Sequence, residues 1–168
     1  GNWAITTSAL TEGTHQLTAT ATDTSGNTSA ASTALSVTVD TASPAAPGAA
    51  DLDAASDSGT SDTDDLTNNN TPTVSGTSEA GATIALASDV DGTVGTTTAD
   101  GSGNWAITTS ALTEGGQSLT STATDAAGNT SAASAALAIT IDITAPAAPS
   151  APDLDVASDS GISDTDDT

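Results

Sequence analysis

Short runs of strand-forming residues recur along the chain, separated by clusters of Gly, Asp, Asn and Ser. The clearest run ends at Ile141. Leu137, Ile139 and Ile141 fall on one face and Ala136, Ala138 and Thr140 on the other, the period of two expected of a strand with one dry side. Comparable runs lie at 71–76, 82–87, 93–99, 104–108, 118–124 and 135–141. No segment carries a 3.6-residue apolar period, so no helix is expected. Turn residues punctuate the runs: Asp100 to Asn104 ahead of Trp105, Thr113 to Gly116, and Asp125 to Asn129, where an Asx turn meets a glycine free to take positive φ. Six or seven such strands in about 100 residues predict an all-β fold, an antiparallel β-sandwich.

The same pattern appears twice at an offset of 102 residues. Gly1 to Gly13 returns letter for letter at Gly103 to Gly115, and 35 of 50 positions agree between 1–50 and 103–152. Agreement continues as 13 of 16 between 51–66 and 153–168. That period is too long for a solenoid unit and fits one small domain, so the chain is expected to be a window on a tandem array. Asp40 to Pro47 and Asp142 to Pro149 carry closely spaced prolines that fix φ and cannot enter a central strand. Unit boundaries placed there give the C-terminal half of one repeat at 1–47, a whole repeat at 48–149 and the start of a third at 150–168.

Charge narrows the possible partners. The chain has no Lys or Arg against 22 acidic residues, a formal charge of -22. Nothing in it can displace counterions from a phosphate surface, so nucleic acid and direct membrane contact are excluded as partners. Cations are the natural complement, because a compact acidic fold otherwise carries uncompensated self-repulsion. The absence of Cys removes disulfides and thiolate chemistry, and the apolar fraction is largely Ala, so each repeat can build only a thin core.

The acids cluster just after the first linker, at Asp51, Asp53, Asp57, Asp62, Asp64 and Asp65; Asp153, Asp155, Asp159, Asp164, Asp166 and Asp167 repeat them. Calcium takes six to eight oxygens in relaxed geometry, and alternating acids on a glycine-containing loop can supply several of them. The competing reading is a solvated acidic loop. Asp40 and Asp142 end the last strand of each repeat, where they either share a junction cation with the following acidic segment or serve only as polar strand ends. A second calcium site is conceivable from Asp89 and Asp91 with Asp100 or Asp125, although turn-forming Asp is common for other reasons.

No catalytic constellation is expected. His15 is the only histidine and Gln117 takes its place in the next copy; Glu12, Glu79 and Glu114 stand singly. A hydrolase triad or a paired-carboxylate site therefore lacks its parts. Trp3 and Trp105 recur once per repeat and read as core anchors rather than sugar-stacking platforms.

The succession Asp51 to Gly59, Thr71-Pro72-Thr73-Val74-Ser75-Gly76-Thr77, Gly101 to Trp105, Thr122 to Asn129 and Asp142 to Pro146 resembles the bacterial immunoglobulin-like repeats of giant biofilm-associated surface adhesins. That resemblance implies immunoglobulin-like sandwiches in tandem, calcium at or near the junctions, type I secretion with an RTX region elsewhere, and a place on the bacterial cell surface. It implies a spacer that supports adhesion and biofilm formation, with neighbouring repeats as partners. A glycan- or protein-binding adhesive module, and a filament subunit that donates strands to identical chains, remain alternatives.

Overall fold

The computed structural model describes residues 2–152. Among the described residues ten strands form and no helix. Residues up to Asp40 contribute one hairpin, β1 (Gly13–Leu17) and β2 (Leu35–Val39). The following repeat contains β3 (Asp51–Leu52), β4 (Leu66–Thr67), β5 (Thr73–Thr77), β6 (Thr83–Ser88), β7 (Gly92–Thr98), β8 (Asn104–Thr108), β9 (Gly115–Thr124) and β10 (Leu137–Ile141).

These eight strands make two sheets, one ordered β4-β10-β9-β6-β7 and the other β3-β5-β8. The central strand β9 shows why they close on each other. Gln117, Leu119, Ser121 and Ala123 point inward while their neighbours stay outside, so one face of the larger sheet needs cover. Val74, Trp105 and Ile107 of the smaller sheet supply it against Ile84, Leu86, Leu119, Ile139 and Ile141. Each fully buried Leu, Ile or Val contributes roughly 1.5–3 kcal/mol. The pairing of β6 with β7 slips at Leu86/Ala87, leaving Val94 as the extra residue, and Val94 drops into the core.

Two expectations are corrected. The whole repeat has eight strands rather than six or seven, because β3 and β4 form inside the acidic segment, where two-residue strands leave no alternation to read. The sandwich is also not wholly antiparallel: β10 pairs with β4 in parallel, Thr140 opposite Leu66 and Ile141 opposite Thr67. The acidic segment crosses from β3 in one sheet to β4 in the other, and that crossing sets the direction.

The hairpin of the first repeat copies the second register for register. Gly13 faces Val39 and Leu17 faces Leu35, as Gly115 faces Ile141 and Leu119 faces Leu137. What differs is the cover. Trp105 lies in β8, paired with β5, and is 4% exposed, whereas Trp3 is 71% exposed and its segment forms no strand.

Candidate functional site

The loop from Asp53 to Asp65 is built around its own backbone. Ser56 N and Asp57 N both donate to Asp53 O, at 2.7 and 3.0 Å, winding the chain into a tight turn after β3. Thr67 Oγ1 donates to Ser56 O at 2.5 Å, and Thr73 N donates to Ser56 Oγ at 2.9 Å, tying the turn to both β4 and β5. These bonds draw the next residue inward. Asp57 is 6% exposed; its Oδ2 accepts from Asp65 N at 3.2 Å, while its Oδ1 is buried without a partner.

A cleft of about 240 Å³ opens here, lined by Asp51, Asp57, Asp62 and Asp65 together with Leu52 and Thr63. Asp65 adopts φ 58, a left-handed conformation that Asp tolerates better than most residues and that turns the chain into β4. Burial, and then the charges of Asp51, Asp57 and Asp64, push its carboxyl above the ordinary Asp value. The cleft is thus a place where negative charge accumulates without a counter-charge.

The donor set is hard oxygen, the kind calcium selects, and Asp57 Oδ1 is a buried acceptor with no hydrogen-bond partner among the described residues. Among the described residues no three acidic or histidine side chains converge closely enough to form a ready-made metal cluster. A cation bound there would have to draw the carboxylates inward.

The other candidate acids are engaged locally. Asp53 Oδ1 accepts from Ser75 Oγ at 2.5 Å, and Asp64 Oδ1 from Leu66 N at 3.3 Å. Asp40 and Asp142 each cap the chain two residues on, Oδ1 accepting from Ala42 N and Thr144 N. The cleft is formed wholly by the second repeat, with Asp40 outside it. Asp153, Asp155 and Asp159 lie outside the described residues.

The suggested second cluster is not brought together. Strand β6 runs from Thr83, opposite Thr98 and Thr124, to Ser88, opposite Gly92 and Leu119. Asp100 and Asp125 therefore sit at one end of the sandwich and Asp89 and Asp91 at the other, roughly 17 Å away along five strand steps. Each is already an acceptor, Asp100 and Asp125 within their own turns and Asp89 and Asp91 from the 113–118 segment. Asp91 takes Thr113 N, Thr113 Oγ1 and Gln117 Nε2; Asp89 takes Ser118 N; Asp100 takes Ser102 N and Asn104 N. The Thr113 bonds hold the Asp91 carboxyl below its ordinary value, the Asn104 bond does the same for Asp100, and the Asn129 side chain does so for Asp125.

His15 stands where Gln117 stands, its Nε2 bonded to Thr11 O at 2.7 Å as Gln117 Nε2 is to Thr113 O at 2.6 Å. The histidine thus reproduces a structural bond. Asp65, one of the clustered acids, lines the cleft through its left-handed backbone, and one residue had not been marked as a contributor from sequence: Asn129, which reaches across to Asp40.

Comparison with known proteins settles the family. The model of the bacterial Ig-like domain matches residues 1–41 and 44–143. The chain belongs to the bacterial Ig-like domain family. No curated protein matches it in sequence. Among solved structures, this Ig-like chain is similar to the BSP domain of a biofilm-associated protein, at 24% identity over 82% of this chain and 20% of that one, with a TM-score of 0.42. It is similar to a tetra-tandem repeat in the extending region of a large adhesion protein, at 21% identity over 80% and 33% of the two chains, TM-score 0.42. A third is a structure concerned with host cell surface retention of a 1.5-MDa bacterial ice-binding adhesin, at 28% identity over 77% and 41%, TM-score 0.34. The Ig-like chain spans between a fifth and about two fifths of these chains.

Proposed function

We propose that this chain is a stretch of spacer repeats from a bacterial cell-surface adhesin, working outside the cell, where calcium in the acidic cleft holds each repeat folded. The observation that carries the reading is the duplicated hairpin, Gly13 to Val39 and Gly115 to Ile141, in one register at an offset of 102 residues. Near-identical Ig-like domains in series extend a chain by a fixed step, and a module repeated unchanged supports reach more than it supports recognition of a ligand. A surface without Lys or Arg and with two Trp also lacks the aromatic and Arg anchors that dominate binding patches.

Calcium enters through linkage. An ion that binds the folded cleft and not the unfolded chain stabilises by RT ln(1 + [Ca]/Kd), about 2.7 kcal/mol at 100 times Kd. The buried, unpartnered Asp57 Oδ1 and the raised carboxyl of Asp65 support such a cleft. Low calcium inside the cell and high calcium outside would let the chain remain loose until exported.

The test is a calcium titration of the melting temperature of the whole chain, run beside Asp57→Asn. The reading expects a rise with calcium in the native chain, reversed by chelation and largely lost in the variant. Equal melting with calcium and with chelator would remove the ion from the mechanism, and binding of the chain to a glycan array would favour a ligand-gripping module over a spacer.

A further inference from the structure

The carboxylates of the acidic cleft are not all held alike. Asp57 lies between two serines tied to the sheets: Ser56 Oγ accepts from Thr73 N at 2.9 Å, and Ser58 Oγ accepts from Asn68 N at 2.8 Å while donating to Asn68 Oδ1 at 2.7 Å. Asp65 is tied as firmly, its N donating to Asp57 Oδ2 at 3.2 Å and its O accepting from Thr140 N at 2.8 Å. Asp51 belongs to β3 and pairs with Ser75. Three of the acids that line the cleft therefore sit on fixed backbone.

Asp62 does not. Between Ser58 and Asp65, segment 59–64 makes only local bonds among the described residues: Thr63 N donates to Ser61 Oγ at 3.3 Å, the Ser61 and Thr63 hydroxyls lie 3.2 Å apart, and Leu66 N donates to Asp64 Oδ1 at 3.3 Å. All of its residues except Ser61 are exposed. A stretch with so few bonds to the body of the fold moves at little cost. It leaves the fixed wall through Gly59, at φ 126 with nothing within 4 Å of where a Cβ would stand, and rejoins it at Asp65. Asp62 and Thr63, from this free stretch, complete the lining of the cleft.

We propose that residues 59–64 are a strap that closes on the cleft when a divalent cation enters, swinging from Gly59 and carrying Asp62 toward the buried, unpartnered Asp57 Oδ1. The inference rests on the cation reading of the cleft and adds a moving part to it. No three acids converge among the described residues, and calcium takes six to eight oxygens. Asp51, Asp57 and Asp65 cannot gather further on their pinned backbone, so water and the strap are the remaining sources of ligands. Asp62 is the strap's one carboxylate on the cleft, since Asp64 is turned to Leu66 N. The same parts recur in the sequence of the next copy, as Gly161, Ser163 and Asp164.

Amide hydrogen exchange of the whole chain, in chelator and in calcium, reads the strap directly. The amides of 60–64 are expected to exchange freely in chelator and to slow by about tenfold or more in calcium. Asp62→Asn is expected to abolish that slowing, while Asp64→Asn, which alters the acid turned away from the cleft, keeps it. A melting temperature that rises with calcium while 60–64 exchange as they do in chelator would overturn the strap and leave a calcium-stabilised cleft standing. Slowing in Asp62→Asn equal to that of the native chain would also overturn it. A melting temperature and an exchange pattern both indifferent to calcium would remove the ion, and the strap with it, so the two failures are separately visible.

Discussion

Gly76 lies against the indole of Trp105: a Cβ placed on it would fall 2.6 Å from Cζ2 and 2.9 Å from Cε2. The two residues oppose each other in the pairing of β5 with β8, and the ring reaches the core only because its partner has no side chain. Gly76→Ala should force the indole out of its place and destabilise the repeat by about 1–3 kcal/mol, the usual range for overpacking. Denaturant unfolding followed through the Trp105 near-ultraviolet signal would measure it, and an unchanged midpoint would mean that the ring has room to spare.

Asp65 gives a prediction with a defined sign. Burial and neighbouring acids raise its carboxyl in the folded state, so the fold binds this proton more tightly than the unfolded chain does. Its contribution therefore improves as pH falls through the raised value and is unfavourable above it. In chelator at neutral pH, Asp65→Asn removes the charge while keeping a residue that tolerates the left-handed φ of 58. Its melting temperature should exceed that of the native chain at pH 7, and the gap should close once acid protonates Asp65. A variant less stable at pH 7 would show that Asp65 is needed there as a charge.

The elements that were legible in the sequence are those whose side chains alternate. Strands β8, β9 and β10 sit where Trp105, Leu119 and Leu137 suggested, and Trp105 is a core anchor. Strands β3 and β4 could not be read in this way. Two-residue pairings such as Asp51 with Ser75 and Leu66 with Thr140 have no period, and their residues look like loop. The acidic cleft was half legible. Clustered Asp residues announce that charge accumulates, but sequence does not say that Asp53 and Asp64 turn to local bonds while Asp65 enters through a positive φ. The grip of Asn129 on Asp40 left no signal beyond the repetition of its turn, because it depends on how one repeat meets the next.

Thr67 is buried at the crossing between the sheets, its Oγ1 donating to Ser56 O at 2.5 Å and accepting from Asn69 N at 3.0 Å. Thr67→Val keeps the shape and removes both bonds, leaving a carbonyl and an amide unpaired. A loss of about 1–3 kcal/mol is expected from stranding buried polar groups. The midpoint in urea should fall with an unchanged slope; a changed slope would indicate that the acidic loop has detached from the fold.

The two tryptophans report separately on covered and uncovered copies of one sequence position. Trp105 is 4% exposed beneath Val74 and Gly76 in a closed sandwich, and Trp3 is 71% exposed on an open hairpin face. Trp3→Phe should therefore leave stability almost unchanged, since surface substitutions usually stay within about 0.5 kcal/mol. Its fluorescence should come from Trp105 alone, emitting at the blue of a buried indole and resisting acrylamide. Subtracting that spectrum from the native one should give a red-shifted, readily quenched component belonging to Trp3. A blue-shifted difference spectrum would mean that Trp3 is covered in solution, and dependence of that shift on protein concentration would trace the cover to another copy of the chain.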